Sequence, residues 1–228
     1  MAMSEADARA EGRREATPAA VVVLIVYVLL AVVSWMKDWE IVGLPWWCWL
    51  VVGLPAVLLA IDLVLARKGR GIVRSRHAAL VLLSLLVAGN FIGLAVLVAG
   101  LVTQSTSSLS GGELLLTGFA IYTADVIVFG LIYWELEAGG PVARRVAEVR
   151  RSFDFQFPQD ENPELAGSDW RPQVWDYLYV SLTNSIAFSP TDTMPLSLRA
   201  KAAMGLESAI SAVTVLLVAA RAVNVLGS

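Results

Sequence analysis

The chain has 228 residues, of which 57% are apolar, with a mean hydropathy of +0.67 and a formal net charge of −3. A soluble domain carries about 45–50% apolar residues, so most of this chain is built to face lipid. Its single cysteine, Cys48, and single histidine, His77, exclude an internal disulfide and a His/Cys metal centre.

Residues 1–17 (MAMSEADARAEGRREAT) are polar and without hydrophobic period, and are expected to form a disordered cytoplasmic leader. Residues 18–137 then read as a four-span scaffold. The first span, Pro18–Met36, is uncharged and long enough for about 30 Å of hydrocarbon. It has no cleavage-site pattern and is read as retained. The second runs from about Trp46 to Ala66, the third from Ala78 to Val102, the fourth from Glu113 to Leu136. Trp35, Trp39, Trp46, Trp47 and Trp49 crowd the first connection, where indole rings are expected to anchor at headgroup level.

Residues 138–171 change character. In Pro141–Phe153, Val142, Val146, Val149 and Phe153 fall at helical spacing while Arg144, Arg145, Arg150 and Arg151 fill much of the remaining surface. That pattern predicts an interfacial amphipathic helix lying against anionic headgroups. Asp154–Arg171, with its acids, Pro158, Pro163 and Gly167, reads as a solvated loop.

Basic residues set the orientation, because cytoplasmic loops retain Lys and Arg. Arg9, Arg13 and Arg14 precede span one, and Arg67, Lys68, Arg70, Arg74 and Arg76 join spans two and three. Four arginines follow span four, whereas the opposite loops hold only Lys37. The amino terminus is therefore expected in the cytoplasm of a multi-pass protein of the cell membrane.

A charge or amide at bilayer depth needs a partner or a function. Asn90 and Asp125 each lie about midway along antiparallel spans and so share a depth, which predicts an Asn90 amide donating to Asp125; passage of protons or cations past Asp125 is the other reading. Asp62 is expected to pair near Arg67 or snorkel, and Arg221 to snorkel.

The last domain, residues 172–228, combines a short amphipathic segment, a Ser-Pro-Thr-Asp turn and a long helix. Asp176–Phe188 is short for a span of about 20 residues. Thr183, Asn184 and Ser185 would leave unmet hydrogen bonds in lipid, so their end should face protein or water. A re-entrant helix at about Pro172–Ser189 is preferred over a tilted crossing, which would put Arg199 and Lys201 outside. Pro190 should stop this helix, with Ser189, Thr191 and Asp192 as caps.

The run SLTNSIAFSPTDTMPLSLRAKAAMGLESAISAVTVLLVAARAVNV resembles the pore module of two-span potassium channels, in which a pore helix, a filter and an inner helix follow one another. Ser181, Leu182, Thr183 and Asn184 stand where the filter threonines would begin, and Thr191 and Pro195 match the spacing that follows. Ile186 and Phe188 occupy the glycine positions, which argues against a filter of backbone carbonyls. The chain as a whole, through FDF, WDYLY and Ser-Pro-Thr-Asp, is similar to an uncharacterised bacterial family of multi-span membrane proteins, which implies no activity.

The fold class expected is therefore all-α: an integral membrane bundle of five transmembrane helices with a re-entrant and an interfacial helix. Two functions follow. One is channel-like permeation by a homo-oligomer, with Thr183, Asn184, Ser185, Glu207, Ser211 and Thr214 lining a passage for monovalent cations. The other is a non-conducting scaffold or sensor. Residues 207, 211 and 214 share one helix face, and what covers that face separates the two. An enzyme is not expected, since no nucleophile–base pair or metal set is visible. The bilayer is the expected partner, and neither a cofactor, a metal nor a nucleic acid is expected.

Overall fold

In the computed structural model, residues 5–38, 45–66, 76–102, 111–146, 153–167, 170–190 and 192–226 are described. The expectations placed on Trp39, Arg67, Lys68, Arg70, Arg74, Arg150, Arg151 and Thr191, and on the side chains of Arg9 and Arg221, lie outside the described residues.

The described chain is almost wholly helical. Five long helices, α1 (Glu5–Lys37), α2 (Trp47–Ala66), α3 (Arg76–Val102), α4 (Gly111–Leu136) and α9 (Leu198–Leu226), carry the apolar runs. Among the described residues, four stretches are long and apolar enough to cross a membrane: Ala10–Lys37, Arg76–Ala99, Leu115–Gly139 and Leu198–Ala220. α2 contributes the shorter apolar stretch Trp47–Asp62. Between α4 and α9 stand α5 (Pro141–Val146), β1 (Phe155–Gln156), α6 (Pro158–Glu161), α7 (Pro163–Ala166), α8 (Val174–Ala187) and β2 (Met194–Pro195).

α4 is the hub. The first four helices pack in sequence and α4 closes back on α1, while α8 and α9 cover its remaining flank. Small residues let the backbones approach, as expected where lipid supplies no hydrophobic drive between helices. A Cβ at Gly53 would stand 3.0 Å from Tyr27, one at Gly89 2.8 Å from Val52, and one at Gly130 2.7 Å from Leu178.

Residues 5–17 correct the expectation of a disordered leader, because α1 begins at Glu5. Their Ala, Glu and Arg favour a helix. Distant partners then hold it: Arg145 pairs with Glu11 at 3.7 Å and with Glu15, and Arg13 lies 3.9 Å from Asp62. Asp62 thus finds a partner across the α1–α2 contact. Trp35, Trp46 and Trp47 are exposed, but Trp49 is buried against Leu30, Ala31, Leu97 and Ile121, a second departure from the expected row of interface anchors.

The end of α4 is closed by two arginines. Helix termini leave four carbonyls without partners. Here Arg144 Nη1 donates to Trp134 O and Glu137 O, each at 2.7 Å, and Arg76 donates to Glu135 O at 2.9 Å and Leu136 O at 3.3 Å. Ala138, Gly139 and Gly140 all have positive φ and turn the chain into α5. Arg144 also lies over the rings of Trp134 and Tyr177, 5.8 and 5.5 Å from their centroids. It therefore serves the protein interior rather than headgroups, which corrects its place in the expected interfacial helix; the described helix there is only Pro141–Val146. Burial pulls the Arg144 pKa below its ordinary value, against the opposing pull of Tyr177, Glu137 and Glu135.

The segment read as a solvated loop is docked instead. Phe155 and Phe157 are buried and Asp154 with them. The alternation of Phe153, Phe155 and Phe157 is a strand signal that was available in the sequence. β1 pairs antiparallel with β2, Phe155 opposite Pro195 and Gln156 opposite Met194. The ring of Phe155 packs on Tyr133 and Tyr177, and that of Phe157 on Tyr177 and Trp170.

Candidate functional site

Three groups of buried polar side chains gather around α4. The first joins α1, α3 and α4: the Tyr27 hydroxyl donates to Asn90 Oδ1, and Asn90 Nδ2 donates to Asp125 Oδ1 at 2.7 Å. The pairing of Asn90 with Asp125 is the one their common depth calls for. Tyr27 adds a third member. Its signal was a hydroxyl inside an apolar span, which must find a partner in lipid.

The second group is the joint of α4, α8 and α9. α8 carries Val174, Tyr177, Val180, Ser181, Asn184 and Ser185 on its buried face and exposes Trp175, Tyr179, Leu182 and Ile186 on the other. Asp176 opens the helix by accepting the Gln173 N–H at 2.7 Å, and Phe188 closes it in the left-handed region at φ +54°. At the centre stands Glu207 of α9, with 0% of its surface exposed. Tyr133 of α4 donates to Glu207 Oε2 at 2.5 Å, and Asn184 Nδ2 reaches the same oxygen at 2.5 Å. The other Asn184 amide proton meets Met204 O at 3.1 Å, and its Oδ1 accepts from Ser208 at 3.2 Å. Ser181 bridges Glu207 Oε1 and the Val126 carbonyl of α4, the latter at 2.7 Å.

Of the residues singled out from the sequence, Asn184 and Glu207 therefore meet directly. Ser185 is buried at the same interface and bonds Tyr122 of α4 at 2.8 Å. Thr183 turns aside and donates to carbonyls of its own helix, Tyr179 O at 3.0 Å and Val180 O at 3.1 Å. Ser211 and Thr214 are buried farther along α9; Thr214 donates to Ile210 O at 2.8 Å, and the Ser211 hydroxyl has no hydrogen-bond partner among the described residues. Tyr133 and Ser181 were not among the site residues expected. Tyr133 could have been found by the same argument as Tyr27.

The third group clasps the end of α4 to the β-ribbon and to α9. The Glu137 carboxylate accepts the N–H groups of Asp154 and Phe155 at 2.9 and 2.8 Å. Asp154 in turn accepts from Ala138 N–H at 3.1 Å, from Ser197 at 2.5 Å, and from Arg199 through Nε at 2.6 Å and Nη2 at 2.5 Å. Burial alone would raise the Asp154 pKa. The bonds from Arg199, Ser197 and Ala138 outweigh it and hold the carboxyl below its usual value. Ser197 also caps α9 by accepting the Ala200 N–H at 3.2 Å.

Among the described residues, no three His, Cys, Asp or Glu side chains gather as a metal site. Chemically, the three groups offer hydrogen-bond donors around three buried acids, Asp125, Glu207 and Glu137, and one ion pair, Asp154 with Arg199. No family model, curated protein or solved structure matches the chain. The two resemblances noted above rest on their own residues alone.

Proposed function

We propose that this chain is a non-conducting scaffold or sensor of the cell membrane. It crosses the bilayer five times, with α2 as the fifth span and its amino terminus in the cytoplasm. The observation that carries this reading is the closure of the α8–α9 polar face within one copy. Glu207, Asn184, Ser181 and Tyr133 bond one another, while the outward faces present Trp175, Tyr179, Leu182 and Ile186 on α8 and Leu206, Val213 and Leu216 on α9. A permeation path needs those polar groups turned toward a passage, and here they are spent on each other.

α8 belongs to this proposal as a re-entrant helix. Leu178 lies at Gly130, Ser181 at Val126 and Ser185 at Tyr122, so α8 descends α4 in the opposite direction and ends well short of Gly111. By Met194–Pro195 the chain is beside Phe155, next to the clasp at Ala138, and α9 starts from that end. That β2 (Met194–Pro195) lies back at the clasp, shortly after α8 ends at Ala187, supports entry and exit on one side.

Purified protein in liposomes tests both parts. Monovalent-cation flux is expected at background for the native chain and for Asn184→Leu alike. Flux above background that Asn184→Leu abolishes would establish permeation instead. In a Cys48→Ser background, Glu161→Cys and Lys201→Cys should react with an impermeant maleimide from the same face. Labelling from opposite faces would make α8 a full crossing.

A further inference from the structure

The hydrogen bonds around Glu207 can be counted proton by proton. Ser181 has one hydroxyl proton and two neighbours that it touches through Oγ, the Val126 carbonyl and Glu207 Oε1. A carbonyl only accepts. If Glu207 were ionised, Ser181 could serve one of the two, and the other contact would set two acceptors against each other in a buried site. Glu207 Oε2 already receives two donors, the Tyr133 hydroxyl and one Asn184 amide proton. The Asn184 amide is fixed the right way round, since turning it over would oppose its oxygen to Met204 O. One arrangement satisfies every contact: Oε1 bears a hydrogen that it donates to Ser181 Oγ, and Ser181 donates onward to Val126.

We propose that Glu207 is a proton-binding site at the α4–α8–α9 joint, occupied in the structure described, and that its proton holds α8 in place. The proton closes a chain running from α9 through α8 to α4. Removing it leaves Ser181 with one proton for two acceptors, so either α8 parts from α4 at Val126 or α8 parts from α9 at Glu207. Among the described residues, none offers a counter-charge to stabilise the ionised form. Tyr133 of α4 touches the carboxyl and Asp125 of α4 lies within its electrostatic reach, whereas α8 presents only Ser181 and Asn184. Among the described residues, neither α3 nor β2 brings a charged group against it. A buried carboxylate without a cation or metal is costly, and neutralisation by a proton is the ordinary escape. The site deepens the sensor reading by naming its ligand, yet it stands on hydrogen-bond geometry and can be tested whatever the flux assay returns.

The test is infrared spectroscopy of the full chain in lipid bilayers at neutral pH. The difference spectrum between native protein and Glu207→Gln should show loss of a carboxylic-acid C=O band, with the carboxylate bands unchanged. Glutamine keeps the arrangement, since its amide donates to Ser181 and its oxygen accepts from Tyr133 and Asn184. Ser181→Ala should move the same band to higher frequency, because the acid loses its acceptor; this variant carries the test if Glu207→Gln does not accumulate. Loss of carboxylate bands in Glu207→Gln, or an acid band indifferent to Ser181→Ala, would overturn the site. As alkali removes the band, amide exchange across residues 174–187, corrected for its intrinsic pH dependence, should quicken at least tenfold in the native chain and not in Glu207→Gln. Equal exchange in the two would overturn the coupling to α8.

Discussion

Asn90 and Asp125, 35 residues apart in the chain, are joined by a 2.7 Å bond from Asn90 Nδ2 to Asp125 Oδ1 inside the helix bundle, and Asp125 Oδ2 has no hydrogen-bond partner among the described residues. That single amide is therefore what Asp125 has. Removing one partner of a buried polar pair costs the desolvation of the other, about 1–3 kcal/mol, whereas removing both costs less. Asn90→Ala is expected to lower the melting temperature in detergent and the amount in the membrane, and Asp125→Ala with Tyr27→Phe in the same chain, which removes the other two members, should restore much of both. Unchanged accumulation of Asn90→Ala would show that the pair carries no stability.

Two glycines of α4 should behave differently when replaced by alanine. At Gly118 the new Cβ meets only the end of the Val218 side chain, 2.5 Å away, so Gly118→Ala should be rescued by Val218→Ala. At Gly130 the Cβ meets Leu178 Cδ2 at 2.7 Å and the Leu178 backbone Cα at 3.0 Å. Shortening Leu178 cannot clear a backbone, so Gly130→Ala should stay destabilised by about 1–3 kcal/mol even with Leu178→Ala. Thermal stability of the two single and two double variants decides it.

The clasp at Asp154 should make the fold acid-sensitive. The carboxyl is held below its usual value in the folded protein, so it binds protons less readily there than in the unfolded chain. The stability it contributes is complete above the unfolded carboxyl range, about pH 4, and is lost as pH falls through the folded value. Asp154→Asn should lower stability at neutral pH by about 2 kcal/mol, the order of a charge-assisted hydrogen bond, and should flatten the acid limb of a stability–pH curve. An unchanged acid limb would place the sensitivity elsewhere.

Residues of one kind were legible from the chain alone: those whose signal is local. The apolar runs announced the long helices because 18 or more uncharged residues have no other solvent, and Asn90 and Asp125 announced each other because antiparallel spans bring equal depths together. The Phe155–Phe157 alternation was equally local but was masked by the acids and prolines around it, and a ribbon of two residues per strand is too short to stand out. Arg144 was misread for a different reason. A basic residue on an amphipathic stretch looks the same whether it meets a headgroup or the bare carbonyls of Trp134 and Glu137, and only the turn at Ala138–Gly140 brings those carbonyls within reach.

Solvent preference is written residue by residue, so hydropathy and charge were enough to determine a helical membrane chain and its polar positions. Which polar group meets which is a property of helix rotation and crossing, set by contacts such as Gly130 on Leu178 that link distant parts of the chain. The tertiary structure alone decided that Glu207 turns inward to Tyr133, Ser181 and Asn184, because partner choice depends on three helices at once and none of them encodes it separately.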